Sequence, residues 1–297
     1  MLLNERVAIV TGAGGGLGRA HALYLASQGA RVVVNDLTQE AADRVAAEIV
    51  DRGGEAVGIA ASVTDEAAVE AMVAKVLARW GRVDILISNA GILRDKTFAK
   101  MSLEDFRLVV DVHLMGAAVC AKAVWAIMRA QGYGRIVMTT SSSGLYGNFG
   151  QANYGAAKLA LVGLMQTLAI EGEKYNVRVN CLAPTAATGM TEGVLSEESL
   201  QRLDPALVSP GLLALVQDDA PTRAILCAGA GHFATANITL TEGRYIGGGA
   251  DAGEQLIGQW DCVADRQGEI VPAYGFTQAE REVASAGLMI SAVTEPA

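Results

Sequence analysis

The stretch Val7-Ala8-Ile9-Val10-Thr11-Gly12-Ala13-Gly14-Gly15-Gly16-Leu17-Gly18 decides the fold. Four apolar residues, three of them β-branched, read as a short strand buried on both faces. The run leads straight into glycines and then into a helical pattern over 17–28 that stops at Gly29. A glycine loop between a strand and a helix is the context that a dinucleotide fingerprint requires. Gly12 permits a tight turn. Gly16 and Gly18, with Leu17 between them, let backbone and helix approach a pyrophosphate, and the helix N-terminus supplies positive potential. A glycine loop taken alone is equally a simple turn. Here the spacing, the position and Asp36 at the end of the next strand agree on a ligand.

Working outward, apolar runs at 31–34, 56–60, 83–88, 135–139 and 177–182 alternate with helical patterns at 39–52, 65–80, 102–129 and 153–174. Ser102 and Asp105 suit the start of the third of these helices, as cap and dipole partner. Alternation of this kind predicts a doubly wound parallel α/β sheet, Rossmann-like. One domain is expected over residues 1–250, with a last strand at 238–246 closed by Gly247-Gly248-Gly249. Residues 185–219 read as loop and short helices. Residues 251–297 have no strong period and are read as an extension of unassigned role, packed on the domain or on an oligomer neighbour.

The 297 residues are 51% hydrophobic with a net charge of −9, so the chain has ample core and is a poor nucleic-acid binder. No apolar stretch is read as long enough to span a membrane, and the first residues lack the apolar region of a signal peptide. Cys120, Cys181, Cys227 and Cys262 lack C-x-x-C spacing, which argues for reduced thiols and against a metal site, and a cytoplasmic location is expected.

The chemistry lies in a second segment. Tyr154 and Lys158 are four residues apart and share a helix face. An ammonium there holds the phenol pKa down, because a nearby opposite charge favours the phenolate. Ser141, thirteen residues before the tyrosine at the end of an apolar run, can reach the same point. Together the three suit proton transfer on an alcohol oxygen. Asp36 is placed to accept adenosine ribose hydroxyls and to repel a 2′-phosphate, so NAD is favoured over NADP; Arg19 is expected to soften that repulsion. Asn89-Ala90-Gly91 leaves room for the adenosine side of the cofactor.

These motifs together resemble the short-chain dehydrogenase/reductase family over residues 5–250. A closer likeness runs through Asn89-Ala90-Gly91-Ile92-Leu93-Arg94-Asp95, Tyr133 to Met138, Tyr146 to Tyr154 and Ala169-Ile170-Glu171-Gly172. It is similar to the (3R)-hydroxyacyl-CoA dehydrogenase unit of peroxisomal multifunctional enzymes type 2. The resemblance implies Tyr154 as general acid/base, Lys158 as its modulator and holder of the nicotinamide ribose, and Ser141 as partner of the reacting oxygen. It implies His113 where the wider family carries a relay asparagine; a structural core histidine is the competing reading. Ser62 and Val63 stand where an adenine-contacting aspartate often lies. Pro184 and Thr188 are placed near the carboxamide, with Thr185 in place of the usual glycine. A homo-dimer or homo-tetramer and an acyl-CoA substrate are implied, with Arg94, Lys96 and Lys100 available to an anionic CoA. A 3-oxoacyl-carrier-protein reductase, a hydroxysteroid dehydrogenase and a nucleotide-binding sensor without turnover are the alternatives.

Overall fold

The computed structural model of the protein describes residues 1–187 and 196–287. Its eight-stranded sheet comprises β1 (Val7–Val10), β2 (Arg31–Asp36), β3 (Glu55–Ala60), β4 (Ile85–Ser88), β5 (Gly134–Thr139), β6 (Val177–Thr185), β7 (Ile225–Gly229) and β8 (His232–Ala236). The order is β3-β2-β1-β4-β5-β6-β7-β8, parallel throughout except for β8, which pairs antiparallel with β7. The chain leaves β1 toward β2 on one side and later returns to β4 on the other. That reversal opens a crevice beyond the carboxyl ends of β1 and β4, where ligands bind in sheets of this kind.

Helices cover both faces: α1 (Gly16–Ser27), α2 (Gln39–Asp51), α3 (Glu66–Trp80), α4 (Leu103–Val110), α5 (Gly116–Gln131), α6 (Ser142–Tyr146), α7 (Ala152–Gly172), α8 (Glu197–Arg202) and α9 (Pro210–Val216). The period-2 pleat of β1 explains the two cores. Val7 and Ile9 join one buried cluster with Val73, Val124 and Leu161, whereas Ala8 and Val10 join another with Leu25, Val45 and Leu212.

The helix expected over 102–129 forms as α4 and α5 joined by a π-turn, Asp111–Met115. Ser102 caps it, its Oγ accepting from the Asp105 N–H at 3.0 Å. The expectation that no apolar stretch reaches membrane-spanning length needs correction. Residues Leu103–Gln131 form a helix long and apolar enough to cross a membrane. Val109, Cys120, Val124 and Met128 are instead buried in the protein core, which accounts for that composition.

Two further readings are corrected. The strand expected at 238–246 is absent: the final strands are β7 and β8, joined by Ala230 and Gly231 at φ of 52° and 75°. Two successive residues at positive φ make the hairpin turn that matches strand twist. Within 238–246 the only pairing is an isolated bridge between Leu240 and Ile270, and Gly243 at φ 74° breaks the extended run. Accordingly the compact unit ends at Ala236, not at 250, and a second unit starts at Asn237. That second unit holds α10 (Ala252–Gly258), α11 (Trp260–Val263) and α12 (Phe276–Ser285), and none of its described residues is fully buried.

His21, fully buried on α1, ties that helix to the start of α9: its Nδ1 lies 2.9 Å from Ser209 Oγ. Burial pushes its pKa down to about 3. Unfolded chains therefore take up a proton below about pH 6.5 that the folded protein refuses until about pH 3, so stability falls as pH drops through that window. Between pH 6 and 5, His21→Gln is expected to lose about 1.4 kcal/mol less per pH unit than the parent in denaturant unfolding. Parallel pH curves for the two proteins would contradict this origin of acid sensitivity.

Candidate active site

The parallel register brings three loop starts to one edge of the sheet. Val10 lies beside Ile87, and Ser88 lies beside Met138. The residues that follow these strands, Gly12, Asn89 and Ser141, therefore meet around the crevice. Thr11 locks the first two loops together: its Oγ1 donates to Ile87 O and accepts from the N–H groups of Asn89 (3.0 Å) and Ala90 (3.1 Å). Asn89 Nδ2 answers by donating to Thr11 O and Gly12 O.

Gly12 and Gly16 adopt φ of 61° and 50°, a region that favours glycine. A Cβ on Gly18 would sit 2.2 Å from Gly12 O, so α1 can approach the loop only without a side chain there. Helix α1 begins after Gly15 with no side-chain cap, which leaves first-turn N–H groups for an anion. Asp36 is pinned by its own backbone surroundings, with Oδ2 accepting from Gly14 N–H and Oδ1 from Leu37 N–H, each at 2.8 Å. The uncapped helix, the side-chain-free cradle and the fixed carboxylate fit a dinucleotide with its ribose at Asp36.

Ser62 and Val63 follow β3, whose last residue Ala60 pairs with Asp36. The Ser62 hydroxyl pairs with Thr64 Oγ1 at 2.9 Å, and Val63 is buried against Gly116 in the core. Arg19 is held by Glu48 through two bonds of 2.7 and 2.5 Å, with Arg52 on the same carboxylate. It is not free to soften repulsion at Asp36. Pro184 lies near the end of β6, paired with Ala228, and Thr188 falls outside the described residues. Arg94 and Lys96 share Asp105 at 4.0 and 3.6 Å, which partly neutralises that cationic loop, and Lys100 ends a short 3-10 turn beside it.

Ser141, Tyr154, Lys158 and His113 come together. Ser141 caps α6, its Oγ accepting from Ser143 N–H at 3.2 Å, and its hydroxyl acts on the Tyr154 phenol by lowering its pKa. The segment carrying Tyr154 is fastened to the loop after β4: Asn153 Nδ2 donates to Arg94 O, and Gln151 Nε2 to Asp95 Oδ2. His113, carried by the π-turn, stacks edge-on against the Tyr154 ring, with centroids 5.2 Å apart at 86°. Its Nε2 lies 2.8 Å from Ile92 O, and its buried Nδ1 has no hydrogen-bond partner among the described residues. Ser88, His113 and Lys158 line one small cavity together with Thr11.

The electrostatics differ from expectation at Tyr154. Its phenol is raised above the usual tyrosine range, chiefly by burial, with the Ser141 hydroxyl opposing and the Asp95 carboxylate adding to the rise. Lys158 forms no hydrogen bond with the phenol among the described residues. Its ammonium donates to Thr139 O at 2.5 Å, and its Nζ stands 5.5 Å from the Tyr154 ring centroid. Burial lowers Lys158 to about 7. Burial and the nearby Lys158 charge push His113 to about 3, so its imidazole is neutral at neutral pH.

A crevice beyond a doubly wound sheet, a side-chain-free dinucleotide cradle and a Ser–Tyr–Lys cluster define a nicotinamide-dependent oxidoreductase. Residues 6–199 match the short chain dehydrogenase family, and the chain belongs to it. It is 50% identical over 231 residues to a short-chain type dehydrogenase/reductase of Mycobacterium tuberculosis, covering 75% of this chain and 81% of that protein. It is 48% identical over 239 residues to peroxisomal multifunctional enzyme type 2 of Drosophila melanogaster, covering 77% of this chain but 40% of the fly protein. The structure of the full-length fly enzyme superposes with a TM-score of 0.81 at 36% identity, covering 97% of this chain and 51% of that one. A 7α-hydroxysteroid dehydrogenase complexed with NADH and 7-oxo glycochenodeoxycholic acid superposes at 0.71 with 30% identity, over 77% of this chain and 94% of that one.

Gly91 is the packing partner of His113, since an added Cβ would lie 2.1 Å from the imidazole Cε1. Gly91→Ala is expected to displace the ring and cost about 1–3 kcal/mol in denaturant unfolding. An unchanged midpoint would show that the ring has room to move.

Proposed function

We propose that this chain reversibly oxidises a secondary alcohol, a (3R)-hydroxyacyl-CoA, to the ketone with NAD. The observation that carries this reading is the convergence of the Ser141 hydroxyl, the Tyr154 phenol, Lys158 and His113 beside the glycine loop. The likeness to multifunctional enzymes type 2 supports the acyl-CoA substrate, and the pinned Asp36 carboxylate supports NAD.

Tyr154 takes the hydroxyl proton of the substrate, and Ser141 hydrogen-bonds the same oxygen as its charge changes. The nicotinamide, when bound, accepts the hydride from the carbinol carbon. Lys158 has three N–H donors, one of which is spent on Thr139 O. The remaining two serve the nicotinamide ribose and the proton path from Tyr154. His113 is the relay group next to that lysine, with Nε2 fixed on Ile92 and Nδ1 facing inward as a neutral acceptor or donor. Assembly as a homo-dimer or homo-tetramer belongs to the same proposal. Exposed Met115 between α4 and α5, with Leu159 and Ile170 on α7, supports it.

The test is NADH formation with NAD and a panel of 3-hydroxyacyl-CoA thioesters, run beside steroid alcohols and acyl-carrier-protein substrates. Turnover of the (3R)-thioesters above the other classes is expected; binding of NAD without turnover of any alcohol would favour a sensor. Tyr154→Phe is expected to abolish turnover and leave NAD affinity within about twofold, because one phenol oxygen is a small part of the cofactor contact. His113→Ala is expected to slow turnover more than about tenfold if the imidazole relays protons. Parental kinetics in that variant would reduce His113 to a packing residue.

A further inference from the structure

Three successive residues of the loop after β4 are tied to the start of α7. Arg94 O accepts from Asn153 Nδ2 at 3.0 Å, Asp95 Oδ2 accepts from Gln151 Nε2 at 2.6 Å, and the Lys96 N–H donates to Gly150 O at 2.9 Å. Gln151 is itself braced, its Oε1 accepting from Asn148 Nδ2 at 3.0 Å. Asn153 also accepts, through Oδ1, from the Tyr154 N–H at 2.7 Å. The exposed Asp95 carboxylate is thereby fixed in place relative to the tyrosine.

The charges around it are unevenly shared. Arg94 and Lys96 flank Asp95 in sequence, yet both turn to Asp105, at 4.0 and 3.6 Å. Asp95 forms no ion pair among the described residues, and its hydrogen-bond partner, the Gln151 amide, is neutral. Its uncompensated charge reaches the reacting atoms, because it raises the Tyr154 phenol. In the proposed reaction the carbinol oxygen meets that phenol. An anionic group on the neighbouring substrate carbons enters the same field, which is strongest where water is excluded. A free 3-hydroxy acid has its carboxylate two bonds from the carbinol carbon. The thioester has a neutral carbonyl there, and the CoA phosphates lie at the far end of the pantetheine arm.

We infer that Asp95 is a specificity residue that turns away substrates with an anionic group beside the carbinol, admitting the neutral thioester of a 3-hydroxy acid and excluding the free carboxylate. The inference rests on the proposed oxidation of a 3-hydroxyacyl thioester. Asp95 acts by repulsion, which sets a difference between two substrates without adding a contact to the favoured one. Asp105, by holding Arg94 and Lys96, keeps the two neighbouring cations from cancelling that repulsion.

The test compares kcat/KM, with NAD, for the (3R)-3-hydroxybutyrate anion and for its N-acetylcysteamine thioester, in the full-chain parent, Asp95→Asn and Asp95→Glu. Asparagine keeps an acceptor for Gln151 and removes the charge; glutamate keeps the charge. The quantity read is the ratio of acid to thioester, in which any common effect through the Tyr154 phenol cancels. Asp95→Asn is expected to raise that ratio about fivefold, as loss of one exposed charge repulsion implies, and Asp95→Glu to stay within about twofold of the parent. High salt is expected to raise the ratio in the parent and to leave it unchanged in Asp95→Asn. NAD affinity within about twofold throughout reports an intact fold. A free acid that gains nothing over the thioester in Asp95→Asn would overturn the inference. So would an equal gain in Asp95→Glu, which would reduce Asp95 to a clip on Gln151. A parent that oxidises neither compound nor any 3-hydroxyacyl-CoA would overturn the proposed function itself, and the inference with it.

Discussion

Burial of the Tyr154 phenol is the constraint on which the chemistry of this protein turns. Removal from water disfavours the phenolate, and the nearest protein groups do not reverse that: the Ser141 hydroxyl lowers the pKa while Asp95 raises it. Lys158, the group best able to help, is buried too and anchored to Thr139 O. Both proton-transfer groups are thus held in their neutral-favouring direction, the phenol raised and the lysine lowered to about 7. A site of this kind is primed by its partner charges and is quiet without them. Added positive charge beside the phenol has its largest effect where water is excluded.

The sheet makes this possible by fixing loop starts rather than side chains. β1, β4 and β5 are adjacent and parallel, so the residues following each emerge together. Thr11 and Asn89 then bolt two loops with five hydrogen bonds. Helix α7 presents Tyr154 and Lys158 from its first turns, and Thr140 Oγ1 donates to Lys158 O at 2.6 Å to keep that helix against the end of β5. The π-turn between α4 and α5 brings His113 against Gly91 and Tyr154. Wide turns of this type are a common device at functional sites.

Much of this was legible in the residues. The glycine loop, the six strands up to β6 and the Ser141–Tyr154–Lys158 spacing depend on local periodicity and turn chemistry, which a sequence displays directly. What was hidden depends on pairing partners. Residues 238–246 alternate as a strand should but find one bridge, whereas Ile225–Gly229 and His232–Ala236 are short and interrupted by small residues, and they pair because β6 offers an edge. The short helix α6 hides in a serine-rich stretch that reads as loop. The direction of Lys158 was likewise invisible, since four-residue spacing puts it on the face of Tyr154 but cannot choose between the phenol and Thr139 O.

The most direct test of the account is the titration of Tyr154 itself. Tyrosine labelled at Cζ, followed by carbon NMR and assigned with Tyr154→Phe, reports the phenol ionisation without and with saturating NAD. The expected result is a midpoint above the usual tyrosine value of about 10 for the protein alone and a fall below it with NAD. A phenol that titrates above 10 in both conditions would contradict Tyr154 as the proton acceptor.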